Sequence, residues 1–85
     1  MKAIYKYPLA GRHVTKVEMP KGANVVKFDS QAGTCCIWAI VDPESPMEER
    51  FFSIVGTGWT IEDTDCYIGT IQEGAFVWHC LEVKV

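Results

Sequence analysis

Thr34-Cys35-Cys36-Ile37-Trp38-Ala39-Ile40-Val41 is the stretch that decides the fold. Read at a period of two, it places Cys36, Trp38 and Ile40 on one face and Cys35, Ile37, Ala39 and Val41 on the other. Both faces are apolar. Turn formers bracket the segment, with Gln31-Ala32-Gly33 ahead of it and Asp42-Pro43 behind. A strand apolar on both faces belongs at the centre of a sheet or in the wall of a closed barrel.

The same period governs the flanks. Ala3, Tyr5 and Tyr7 alternate with Lys2, Ile4 and Lys6 until Pro8 ends the segment. His13, Thr15, Val17 and Met19 share a face opposite Val14, Lys16 and Glu18, and Pro20-Lys21-Gly22 turns the chain. Val26 and Phe28 then face away from Val25, Lys27 and Asp29. Downstream, Pro43 and Pro46 bar the loop 42–47 from a ladder interior. Residues 50–55 resume as a strand, predicting a hairpin with Thr34–Val41 through a longer acidic loop.

Gly56-Thr57-Gly58 breaks that strand, and residues 60–65, with Asp63 three positions after Thr60, predict a turn or a single helical turn. Residues 66–71 and 75–83 predict a hairpin around Gln72-Glu73-Gly74. In its second strand Phe76, Trp78 and Cys80 face one way, and Ala75, Val77, His79, Leu81 and Val83 the other. Six or seven short strands with turn signals every 8–12 residues predict one all-β domain, a small antiparallel sandwich or barrel. At 85 residues the core is near the lower size limit, so self-association as a homo-oligomer is expected to cover a face or an edge.

Composition excludes several classes. With 48% hydrophobic and 22% charged residues, the chain is too apolar for disorder. The longest apolar run, 35–41, is far short of the roughly 20 residues of a membrane helix. Lys2 is followed by a mixed segment containing Lys6 rather than by the apolar stretch of an export signal, so an intracellular protein is expected. Eight Lys+Arg against eleven Asp+Glu leave a net charge of −3, the wrong sign for a duplex nucleic-acid binder. The acids gather at 42–49 and 62–65, which would suit a basic protein partner, although charge runs of this kind usually mark solvated loops.

Catalytic and metal motifs are lacking. Cys35 and Cys36 point to opposite faces of a strand and cannot chelate one ion, and only His13 and His79 could complete a zinc set. The four cysteines therefore read as small buried apolar residues, and no cofactor is implied. A cysteine nucleophile would need His13 or His79 as base; His79 reaching Cys35 across the sheet is the one such pairing open. Asp63 and Asp65 lack a further ligand set and read as turn residues.

Binding is better represented. The chain holds 3 Trp, 3 Tyr and 4 Phe, more than one small core needs, and Trp59 follows two glycines outside the strand pattern. Aromatic rings with an Arg make stacking platforms for bases, and amides of a Gly-rich turn can cradle phosphate. Arg50, Gly56, Thr57, Gly58, Trp59, Tyr67, Gly69 and Thr70 are accordingly the candidate ligand-binding residues. A bulge at the glycines, with Trp59 as a plug at the barrel end, is the structural alternative.

The order of segments also resembles a family of short phage and prophage proteins described only as a domain of unknown function. The resemblance rests on Lys6-Tyr7-Pro8-Leu9, Glu18-Met19-Pro20-Lys21-Gly22-Ala23, Trp38-Ala39-Ile40-Val41-Asp42-Pro43, Glu49-Arg50, Gly56-Thr57-Gly58, Tyr67-Ile68-Gly69-Thr70 and Val77-Trp78-His79. It transfers no catalytic residue and implies a setting, an accessory protein in the cytoplasm of a bacterial host. That context suggests a non-enzymatic protein that counters host defence by sequestering a nucleotide-type immune signal. Two alternatives are an inhibitor of a host defence protein, of the anti-CRISPR kind, and a minor virion or assembly component.

Overall fold

In the computed structural model, which describes residues 1–10 and 14–84, the chain forms β1 (Ala3–Pro8), β2 (Thr15–Pro20), β3 (Asn24–Gln31), β4 (Thr34–Val41), β5 (Met47–Gly56), β6 (Cys66–Glu73) and β7 (Phe76–Val83). All pairings are antiparallel. The strands form two sheets, ordered β1-β4-β3 and β2-β5-β7-β6. The architecture is a sandwich rather than a closed barrel: among the described residues no ladder joins one sheet to the other.

β4 takes the central place its two apolar faces demand. Ile37, Ala39 and Val41 are fully buried between the sheets, while Trp38 and Ile40 on the outer face are only half-buried. The Lys27 ammonium stands 5.3 Å from the centre of the Trp38 ring, so its stem helps to cover that face. Val17, Met19, Phe28, Phe52, Ile54, Trp78 and Cys80 complete the core from the other strands. The outer sheet edges β3 and β6 pack on each other where Gly69 approaches Phe28: a Cβ at that glycine would stand 3.4 Å from the Phe28 Cβ. The Ser30 hydroxyl donates to the Glu73 carboxylate across the same edge at 3.0 Å.

Two expectations need correction. β4 and β5 are not a hairpin: the loop between them carries the chain from one sheet to the other, and β5 pairs with β2 and β7. The prolines at 43 and 46 fit a crossing rather than a tight ladder turn. In β3 a bulge lies between Val25 and Lys27, so Val25 and Phe28 both pack inward while Val26 is exposed. Of the two readings of residues 60–65, the turn is the one found: Asp65 and Glu62 exchange two hydrogen bonds, Asp65 N–H to the Glu62 carbonyl and Glu62 N–H to the Asp65 carboxylate. The facing of His13 lies outside the described residues. The two hairpins read from turn chemistry hold: Ala32 (φ 52°) and Gly33 (φ 81°) supply the positive pair of a two-residue turn, and Gly74 (φ 60°) turns β6 into β7.

Candidate functional site

The site follows from the β5–β6 connection. Gly56 of β5 lies opposite Trp78 at one end of β7, and Cys66 of β6 lies opposite Glu82 at the other end. β5 and β6 flank β7, so the connection 57–65 must cross it. It crosses on the outer face. Leu81 shows the consequence: it points away from the core by register, yet it is only 3% exposed.

Between the crossing segment and the sheet runs a groove of about 230 Å³, lined by Val55, Gly56, Thr57, Gly58, Trp59, Ile61, Tyr67, His79 and Leu81. The candidate residues Gly56, Thr57, Gly58, Trp59 and Tyr67 are therefore brought together. A second groove of about 360 Å³ uses Gly56, Thr57 and Trp59 again, with Ala75, Phe76, Val77 and Trp78. Trp59 stands between the two. Its indole lies over Gly56, where any Cβ would come within 3.0 Å of the ring, and it meets Trp78 edge-on at 6.1 Å. Phe76 stacks on Trp78 at 5.5 Å. Trp59 is 53% exposed and Tyr67 65%, so both rings offer free faces to a ligand.

A polar chain crosses the floor of the groove. The Tyr67 hydroxyl lies 2.6 Å from the Thr70 hydroxyl, Thr70 Oγ1 lies 2.8 Å from His79 Nδ1, and His79 Nε2 lies 2.8 Å from Thr57 Oγ1. Thr70 thus joins the site through His79. In a neutral imidazole one nitrogen donates and the other accepts, and a hydroxyl can answer either way. The ring is held at both nitrogens, tying the crossing segment to β7 and β6. A hydroxyl–imidazole–hydroxyl line has the order of nucleophile, base and orienter, but the orienter is neutral and offers no charge to an imidazolium. The arrangement suits ligand hydrogen bonding better than acyl chemistry.

Arg50 and Gly69 do not join the groove. Arg50 lies toward the other end of β5, where Nε and Nη2 bond the two Glu82 oxygens at 2.7 and 2.8 Å and Nη1 donates to the Ala23 carbonyl. This bidentate hydrogen bonding from Arg50 holds the Glu82 carboxyl below its ordinary 4.5, against the opposing effect of burial. Gly69 is spent on the approach to Phe28. His79 does not meet Cys35 in the bonds above; both of its nitrogens are taken by threonines.

Sequence reasoning missed Ile61 and Leu81, and it weighed His79 as a base for Cys35 rather than as part of this groove. His79 was legible as an outward residue of β7, but its partners come from two other segments. Burial, then the nearby Cys35 and Glu82, push the Cys80 thiol up to about 12, an inert core group. Among the described residues no cluster of His, Cys, Asp and Glu is fit to hold a metal ion.

No curated protein and no solved structure matches the chain. A family model does, along residues 1–85, and by that match the chain belongs to the family described as a domain of unknown function, DUF7352.

Proposed function

We propose that this chain is a non-enzymatic binding protein that takes a planar ring of nucleobase type against Trp59. Its setting in this proposal is that of a phage accessory protein in a bacterial host cytoplasm, where it sequesters a nucleotide-type immune signal. The observation that carries the reading is the convergence of Gly56, Thr57, Gly58, Trp59 and Tyr67 in one groove, with His79 and its hydroxyl partners on the floor. An exposed indole supplies a stacking surface worth about 1–3 kcal/mol per base, and the hydroxyl–imidazole chain supplies edge-on donors and acceptors.

The groove reads the ring rather than phosphates. None of its described lining residues is Lys or Arg, and Glu62 and Asp63 stand exposed on the same crossing segment. Its size points the same way. Grooves of about 230 and 360 Å³ lie at or below the low end of the roughly 300–1,000 Å³ of drug-sized sites, which suits one ring and part of its sugar.

Titration with nucleobases, nucleosides and mono- and cyclic nucleotides, followed by tryptophan fluorescence, tests this directly. Trp59→Ala is expected to weaken binding about tenfold or more, in line with the stacking range, while the protein stays folded. Gly56→Ala should act similarly by displacing the indole, and Arg50→Ala should leave the affinity of the folded protein unchanged. Failure of every ring ligand to bind would overturn the reading.

The acidic crossing segment favours a second reading, an inhibitor that presents Glu62 and Asp63 beside exposed aromatics to a basic defence protein. Charge reversal at Glu62 and Asp63 would abolish that activity and leave ring binding intact.

A further inference from the structure

β2 is the outer strand of its sheet and, among the described residues, pairs only with β5. Lys21 N–H donates to the Pro46 carbonyl at 2.8 Å, one step beyond the Pro20–Met47 pair. By the two-residue repeat of an antiparallel ladder, Met19, Val17 and Thr15 turn their backbone groups toward β5. Lys16 and Glu18 therefore turn theirs outward, to the open edge. Their side chains lie on the outer face, since Val17 and Met19 are buried.

That face carries an electrostatic imbalance. Glu18 lies directly opposite Glu49, a like-charge cross-strand pair, and the nearby Lys16 ammonium bonds Glu49 at 3.2 Å. The carboxylate nearest the open edge is thus left facing another carboxylate. At the two ends of the same edge, Val14 and Met47 are 55% and 59% exposed.

We propose that this edge pairs with β2 of a second copy of the chain, antiparallel and two-fold symmetric about Val17. Only registers that set odd residues against odd ones keep both cores on one side of the joined sheet. A register centred on Lys16 sets the two lysines against each other, and one centred on Glu18 sets the two glutamates together. Centring on Val17 sets Lys16 opposite Glu18 twice, with four main-chain hydrogen bonds between them. It also brings each Val14 against Pro20 of the other copy, beside Met47. The product is a continuous eight-stranded sheet, β6-β7-β5-β2 joined to its symmetry mate, and neither edge of β3 or β6 is involved.

The test is a charge swap read by sedimentation velocity and multi-angle light scattering. The wild-type chain is expected to run at twice its 9.5 kDa mass. Lys16→Glu and Glu18→Lys, made separately, each replace both attractive pairs by repulsive ones and should weaken self-association by about tenfold or more. Mixing the two single variants should restore a dimer, because each then offers the other two opposite-charge pairs. That recovery also shows that both variants fold. A monomeric wild type, singles that dimerise as well as wild type, or a mixture that stays monomeric would each overturn the proposal.

Discussion

The Arg50–Glu82 pair places two charges where each is less than one-fifth exposed, at 17% and 16% of the side-chain surface. It is tolerable because the geometry is bidentate and the third guanidinium nitrogen finds the Ala23 carbonyl. Replacing the carboxylate by its neutral isostere, Glu82→Gln, should cost about 2 kcal/mol at pH 7, the worth of hydrogen bonds to a charged group. The dependence on pH has a definite sign. The folded carboxyl titrates below 4.5, so its contribution is complete above that value and is lost as pH falls through the lower folded pKa. Urea unfolding at pH 7 and at pH 3 should show a gap between wild type and Glu82→Gln that is narrower in acid. A gap of equal size at both would mean that the pair contributes shape and not charge. The same residue shows a limit of sequence reading. An arginine beside aromatic and glycine segments reads as a ligand contact, yet its acid partner is 32 positions away and claims it for the fold.

At the scale of elements, the crossing segment is what turns a plain sheet face into a groove. Thr57 anchors its start through His79, and the reciprocal Glu62–Asp65 bonds close its far end. Thr57→Val keeps the shape at that position and removes the hydroxyl. The expected outcome is faster amide exchange across 57–65, with global stability lowered by about 1 kcal/mol or less. Hydrogen-exchange mass spectrometry checks it; unchanged exchange there would mean that packing of Ile61 and Leu81 alone holds the segment. The strands themselves were legible, because the period of two and the turn residues act within a few positions of each other. The bulges at Val25/Lys27 and Tyr67/Gly69 were less so. A bulge shifts facing by one residue, and nothing local distinguishes Val26 from a core valine.

Over the whole molecule, burial sorts the four thiols. Cys66 is exposed, whereas Cys36 and Cys80 are buried in the native state, and Cys80 is further pushed up to about 12. Iodoacetamide at mild alkaline pH should therefore modify Cys66 first. Cys36 and Cys80 should react only through opening of the sandwich, slower by about three orders of magnitude or more if opening is global. Time-resolved mass spectrometry of the adducts measures this. Comparable rates at Cys66 and Cys80 would contradict a sandwich closed along β3 and β6.

The sequence by itself determined the class of this protein: six or seven alternating segments in an antiparallel sandwich or barrel, Thr34–Val41 apolar on both faces, the turns at Ala32-Gly33 and Gly74, and the grouping of Gly56, Thr57, Gly58 and Trp59. These follow from interactions between near neighbours, where side-chain alternation and positive φ act directly. Only the tertiary structure decided which strands share a sheet, that Arg50 belongs to Glu82, and that His79 joins Thr57 to Thr70. Those outcomes depend on contacts between segments far apart in the chain. The loop 42–46 sends β5 to the opposite sheet, and the β5–β6 connection crosses β7 because β7 occupies the place between them. A period of two is the same whichever neighbour a strand acquires, so it carries no information about that choice.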